Sequence, residues 1–398
     1  MGKQLIDNYK SYIIYKNHIG DDQLYLTISV EDKSADSVTV CRDIYEKIVD
    51  ILKKEDMEIV YERIFGSLSI QSKIINTRLE ILGQLTNGTN IPYTYIQGQP
   101  IWGEGLAGIH IRAIKLNSNN DNIWTIFHNN IACGRGWIKN NTRYIFLQNL
   151  HSNDDLKNQS REEQADIMFE LASELLKNEG VTYKNVVRTW IYLSNILGWY
   201  DEFNLVRNRK YKSFQLIPDK YSKNSINTMY LPASTGIQGE NNLGTAAIMD
   251  LYAVEPEKNS QIEIESTSGA IQNAAFHYGS AFSRAISINE PDNIQILVSG
   301  TASIDEKGIS VFENNAKAQI NQTFKVISAL IKEKGASLED IYDSTIYLKR
   351  SDDISHFYKI KEEYGLDKIP AICVLADICR DELLFEVDAV AVLNNKKI

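Results

Sequence analysis

The sequence predicts an α+β protein in which one β-α unit is used three times. Residues 164–193 (QADIMFELASELLKNEGVTYKNVVRTWIYL) and 319–348 (QINQTFKVISALIKEKGASLEDIYDSTIYL) align without a gap at a constant offset of 155. Gln164 meets Gln319, Phe169 meets Phe324, Gly180 meets Gly335, and Tyr192-Leu193 meets Tyr347-Leu348. Three prolines then share a register: Pro92, Pro232 and Pro370 each have an Ala 21 residues on, at Ala113, Ala253 and Ala391, and the last two have an Asp 18 residues on, at Asp250 and Asp388. Finally, 398 residues exceed one ordinary domain of ~100–150 residues, so the chain needs more than one core.

The elements follow in order. In the first copy, residues 44–65 (IYEKIVDILKKEDMEIVYERIF) read as a helix and strand ahead of the segment opened by Pro92. In the second, TRYIFLQNL from Thr142 is a strand; an amphipathic helix follows, with Gly180 placed for a left-handed C-terminal cap, and then a β-rich strand to Leu193. A further helix follows Trp199. Alternating stretches after Pro232 separated by turn residues read as a hairpin. The third copy repeats this from ILVSGTAS through residues 319–348 to the segment after Pro370. A sheet with helices on one face must cover the other, and three copies can do so against one another. The expected organisation is a pseudo-trimer in one polypeptide, with units at 1–130, 131–256 and 270–398 and a polar, Ser-rich linker at 255–270.

Composition narrows the function. A net charge of −10 argues against nucleic-acid or anionic-membrane partners, which need a basic face. Only 7 prolines are present, where about 20 would be average at ~5% usage, so stiff proline-rich spacers are excluded. Cys41, Cys133, Cys373 and Cys379 form no CxxC pair and fit a reducing cytoplasm, and the six histidines show no metal-ligand spacing. No stretch reaches the ~20 apolar residues of a membrane span, and the N-terminus lacks a signal-peptide core. Gly103–Gly108 matches GxGxxG but leads into the alternating strand IHIRAI, so it reads as a hairpin turn rather than a dinucleotide loop. The run 117–121 reads as a polar loop tip.

The words VSGTASID (298–305), KEKGASLEDI, IPA and FEVDAVAV resemble the RidA (YjgF) family of small trimeric proteins, whose clefts lie between subunits. RTWIYLSNILGWYDEFNLVR (188–207), LPASTGIQG (231–239) and ADICRDELLFEVDA (376–389) together resemble the chorismatases. That resemblance, spanning roughly residues 130–398, implies a RidA/YjgF-like (chorismate-mutase-like) fold. It also implies cofactor-free, metal-free cleavage of chorismate to pyruvate and a cyclic acid, in a cleft between the middle and third units.

Glu386 is the first candidate. It stands 16 residues after Pro370, where the other copies hold Ile248 and Gly108, so a sheet position that is apolar or tiny twice has gained a carboxyl group. Its apolar flanks would desolvate it and keep it protonated near neutral pH. The resemblance makes it the catalytic acid. Cys379 is by pattern a small hydrophobe; the resemblance makes it a product-setting residue and implies 3-hydroxybenzoate. Chorismate is a dianion, for which Arg offers bidentate geometry. Arg143 and Tyr144 open the strand matching ILVSGTAS, and Tyr200 and Arg207 share a face of the helix after Trp199. Tyr192 ends a strand, a place that Tyr347 and Phe65 repeat, and Arg135, Arg284 and Arg380 remain alternatives. Two rivals stand beside this reading. A RidA-type enamine or imine deaminase implies an Arg two residues after the Pro, where this chain has Thr94, Ser234 and Ile372; the other is a non-catalytic binder of small aromatic or keto acids. Carrying its own neighbours, the chain is expected to act as a monomer.

Overall fold

A computed structural model describes residues 4–32, 36–85, 88–116, 122–152, 158–221, 229–267 and 275–394. The run 117–121 and the end of the expected linker lie outside them. The chain first forms β1 (Gln4–Asn8), β2 (Tyr12–Ile19), β3 (Gln23–Val30), α1 (Ser37–Glu55), β4 (Glu58–Gly66), α2 (Gln71–Leu82), β5 (Thr94–Gln97), β6 (Gln99–Pro100) and β7 (Leu106–Ile114). Next come β8 (Asn122–His128), β9 (Ile131–Lys139), β10 (Thr142–Leu150), α3 (Arg161–Asn178), β11 (Val186–Leu193), α4 (Tyr200–Ser213), β12 (Ala233–Gln238) and β13 (Ala247–Pro256). The last are β14 (Glu263–Thr267), β15 (Ala285–Asn289), β16 (Asn293–Ala302), α5 (Ala316–Lys332), β17 (Ile341–Leu348), α6 (Ile354–Glu363), β18 (Ile372–Leu375) and β19 (Phe385–Asn394).

The three sheets share one strand order: β1-β2-β3-β7-β4-β5, β8-β9-β10-β13-β11-β12 and β14-β15-β16-β19-β17-β18, the last extended by β6. The fold is thus α+β and threefold repeated. Local signals match their roles: Gly180 and Gly335 take φ of +77° and +85°, and Val181 and Ala336 donate back to Leu176 and Ile331 as the helices stop. A reciprocal Ser160–Glu163 capping box starts α3.

The strands after each proline are not hairpins, contrary to expectation. β12 runs parallel to β11 on one side while β13 runs antiparallel on the other, and β18, β17 and β19 repeat this. The helical crossover delivers the post-proline strand parallel to its predecessor, and the last strand then takes the inner edge left open. The GxGxxG turn likewise closes no hairpin, because β6 pairs with β18 rather than with β7. Two edge strands fall where no sheet was expected to begin. β8 opens the second sheet at Asn122, and β14 occupies part of the stretch read as linker.

Each helical pair covers one face of its own sheet, giving three apolar cores, and a fourth core joins the three inner faces. Near its centre the equivalent rings of Phe65, Tyr192 and Tyr347 meet edge to face. A buried polar cluster accompanies them. Arg63 donates to the Tyr192 hydroxyl at 2.8 Å, Tyr347 donates to Asp388 at 3.0 Å, and Arg63 and Arg188 lie 3.9 and 3.8 Å from Asp388. Asp250 accepts from Tyr61, Thr94 and the Asn149 amide. The repeated aspartates therefore pin the sheets together. The seams between sheets are cyclic: Gln97 N–H donates to Glu240 O, Gln238 N–H donates to Asp377 O, and β18 pairs with β6.

Candidate functional site

The cleft of interest lies where β12 meets β16. A β-bridge joins Ala233 to Ser283, Ser234 N–H donates to Ser299 Oγ at 2.8 Å, and Ser299 Oγ donates to Ser283 O at 2.6 Å. The cleft brings together Glu386, Cys379, Tyr200, Arg207, Arg284 and Arg380.

Glu386 is the second residue of β19, opposite Tyr347 and Ala302, and is 4% exposed. Burial pushes its carboxyl up to about 8, the Asp388 charge two residues along the same strand face adds to the rise, and Arg188 opposes it. At neutral pH it is an uncharged acid. Gly300 makes room for it: a Cβ there would strike Glu386 Oε1 and approach Thr235 Cγ2 at 3.2 Å. At Gly236 an added Cβ would stand 3.4 Å from the Tyr200 ring, an ordinary contact.

Cys379 is partly buried beside this acid, and burial, then the Glu386 charge, push its thiol up to about 12. It is a neutral wall group rather than a thiolate nucleophile. Arg207 is 1% exposed, with Phe203 and Phe282 each 5.7 Å from its guanidinium; one nitrogen donates to Asn204 and Nε has no partner among the described residues. Arg284 lies over the Phe282 ring at 5.5 Å, and Arg380 donates to Gly308 O at 2.7 Å. Three guanidinium groups and one neutral acid make the cleft electropositive in an acidic protein. Such a site can hold a small dianion and give it a proton.

The structure separates three candidates from this cleft. Arg143 sits at the start of β10, where it donates to Glu179 O and packs over Trp124. No residue of β10 lines the cleft; the equivalent strand of the third copy, β16, contributes Gly300 and Ala302. Tyr144 is stacked on Trp137 at 5.0 Å in the central core, because alternation turns it inward. Tyr192 is fully buried and held by Arg63. Phe282, Gly236 and Gly300 were not singled out. The register could have revealed Gly300, since its counterpart in β10 is Asn149 and only the acid-bearing copy dispenses with a side chain there.

A larger cavity of about 400 Å³ lies between the first two sheets, reaching Arg135. Arg135 is paired with Glu58 at 2.6 Å, whereas the smaller cleft holds Glu386, whose carboxyl burial raises, so proton-donating chemistry favours the smaller cleft. Among the described residues no group of three or more His, Cys, Asp or Glu side chains could hold a metal ion, and no helix is long and apolar enough to cross a membrane.

The family model described as Endoribonuclease L-PSP matches residues 273–393. The solved structure of a chorismatase superposes with a TM-score of 0.60 at 15% identity, covering 84% of this chain and 92% of that one, which establishes the three-repeat fold. A 3-aminoacrylate deaminase RutC of Acinetobacter baylyi is 30% identical over 101 residues, 25% of this chain and 79% of that protein. A RutC family protein of Pyrococcus abyssi is 30% identical over 97 residues, 24% of this chain and 76% of its own length. By this sequence kinship the chain belongs to the RutC family.

Proposed function

We propose that the protein is a chorismatase, an enzyme that cleaves chorismate to pyruvate and a cyclic acid, with 3-hydroxybenzoate as its product. The observation that carries this is Glu386, a carboxyl group raised to about 8 in a cleft lined by Arg207, Arg284 and Arg380. Glu386 would protonate the enolpyruvyl methylene carbon, and the oxocarbenium so formed would be stabilised by the carboxylate left behind. The neighbouring ring hydroxyl would then displace the ether carbon–oxygen bond. The bonding pair becomes the carbonyl of pyruvate, and an epoxide forms on the ring. Opening of the epoxide and loss of a ring proton give the phenol and restore the acid, with no net uptake of water. Cys379, held as a thiol beside Glu386, favours internal attack over attack by water. Arg207 and Tyr200 would hold the carboxylates and ring; Arg143, Tyr144 and Tyr192 are left to the framework.

The units proposed at 1–130, 131–256 and 270–398 make the ring complete within one chain. We infer a monomer in a reducing cytoplasm, and sedimentation near 45.2 kDa is the expected result. A second reading, enamine deamination, draws on the activity named for the Acinetobacter relative. Against it, the place two residues after Pro370 is Ile372, fully buried and packed towards Gly108. Purified protein offered chorismate decides the matter: release of pyruvate with an aromatic acid supports the proposal, and ammonia from an enamine without pyruvate from chorismate overturns it.

A further inference from the structure

Two residues beyond the position of Glu386, the last strand of each copy carries a polar side chain: His110, Asp250 and Asp388. Four residues before the rings of Phe65, Tyr192 and Tyr347 stand Tyr61, Arg188 and Asp343. These two sets meet once in every seam. Tyr61 donates to Asp250 at 3.0 Å, Arg188 lies 3.8 Å from Asp388, and Asp343 lies 2.6 Å from His110. The contact recurs, but its chemistry does not. The neighbouring copy supplies a phenol where Ile248 stands for the acid and a carboxylate where Gly108 does, and it supplies a cation only beside Glu386.

Arg188 is fixed from several sides. It is 1% exposed, donates to Thr235 Oγ1 at 2.6 Å and to Thr189 O at 3.3 Å, and lies over the Trp190 ring at 4.8 Å. A Cβ on Gly300 would strike Glu386 Oε1 and approach Thr235 Cγ2 at 3.2 Å, so the carboxyl group and the side chain that anchors Arg188 meet over one glycine. Asp388 makes the second link, because it shares a face of β19 with Glu386. It keeps other partners: Tyr347 donates to it at 3.0 Å and Arg63 lies 3.9 Å away. Around the acid itself, Tyr347 stands opposite on β17 and Cys379 lies beside it. Arg207, Arg284, Arg380 and Tyr200 line the open side of the cleft, and Arg188 does not. Burial and the Asp388 charge raise the Glu386 carboxyl, and the Arg188 charge works the other way.

We propose that Arg188 is a positioning residue for Glu386, a buried cation that offsets Asp388 and stabilises the carboxylate left when the acid gives its proton to the substrate. This rests on the reading of Glu386 as the proton donor. With Asp388 alone beside it, the buried acid would hold its proton more tightly than transfer requires. With an unopposed guanidinium it would ionise before the substrate arrived. The pair sets the acid between those limits without touching the substrate.

The test reads Glu386 directly, in the full chain without substrate, by carbon-13 NMR titration of protein labelled at the glutamate side-chain carboxyl. The resonance missing from Glu386→Gln is that of the acid. In the wild type its midpoint is expected near 8. Arg188→Met should move it up by roughly one pH unit or more, and Asp388→Asn should move it down. The double variant, which strands neither member of the pair, should titrate above Asp388→Asn by roughly one pH unit or more as well. In Arg188→Met, kcat for pyruvate release should fall by less than the roughly 10²–10⁴-fold expected on losing the acid, with KM little changed and the alkaline limb displaced upward. A midpoint that stays or falls when Arg188 is removed, in the single or the double variant, overturns the proposal, since a purely structural arginine would alter folding and not this titration. An upward shift in a protein that releases no pyruvate from chorismate supports the Arg188–Glu386 coupling and overturns the chorismatase reading alone.

Discussion

Replacing Glu386 by Gln probes both the proton and its burial. The carboxyl is 4% exposed and its pKa rises from 4.5 to about 8. At 1.36 kcal/mol per pH unit this amounts to about 5 kcal/mol in favour of the neutral form in the folded chain. Unfolded, the same group ionises near 4.5, so between that pH and about 8 the folded state holds a proton that the unfolded state has released. Stability contributed by the protonated group is complete below 4.5, declines as pH rises, and is lost above about 8. Gln has no proton to lose. Its stability relative to the wild type should climb by up to about 5 kcal/mol across that window, read from urea midpoints at its two ends. Pyruvate release from chorismate, followed with lactate dehydrogenase, should fall roughly 10²–10⁴-fold in the variant. In the wild type it should decline as pH passes about 8, when the acid ionises. Equal pyruvate from both proteins, or a stability difference that does not change with pH, would refute the reasoning.

Three other outcomes follow from the same coordinates. Gly300→Ala puts a methyl group against Glu386 Oε1, costing roughly 1–3 kcal/mol of overpacking, and should reduce turnover far more than its melting temperature predicts; full activity would show that the acid can move aside. Cys379→Ala should divert product from 3-hydroxybenzoate towards the dihydroxy acid formed by water, visible by chromatography, and an unchanged ratio would end its product-setting role. Glu62→Gln strands the fully buried Arg78 guanidinium and should destabilise the chain by ~3–5 kcal/mol in denaturant unfolding; a loss below ~0.5 kcal/mol would mean that Arg78 finds another partner.

The repeat was legible because burial on both faces of a sheet constrains spacing. The offset of 155 between α3–β11 and α5–β17, and the acid at Glu386, could be read without coordinates. Strand neighbours could not. Alternation tells which face a residue takes, and says nothing about which strand lies beside it, so the pattern reads as a β12–β13 hairpin although β11 separates the two strands. The same gap explains Arg143 and Tyr144. Both lie on β10, whose counterpart β16 lines the cleft, and a cleft at one end of a sheet depends on how three sheets meet, which involves contacts between residues far apart in sequence. Tyr200 and Arg207 could be grouped from the sequence because helical spacing keeps them near one another on α4, and both line the cleft.

The short β6 bears on how the ring is made. Gln99 and Pro100 leave the ribosome long before their strand partners Leu375 and Val374 are made. Until then the first sheet cannot complete its seam with the third, and Ile101 has no core to enter. Closure is therefore timed by translation rather than by local folding. A nascent chain stalled after its second unit would expose an unfilled edge and an inner apolar face, the kind of surface that chaperones retain and that drives aggregation.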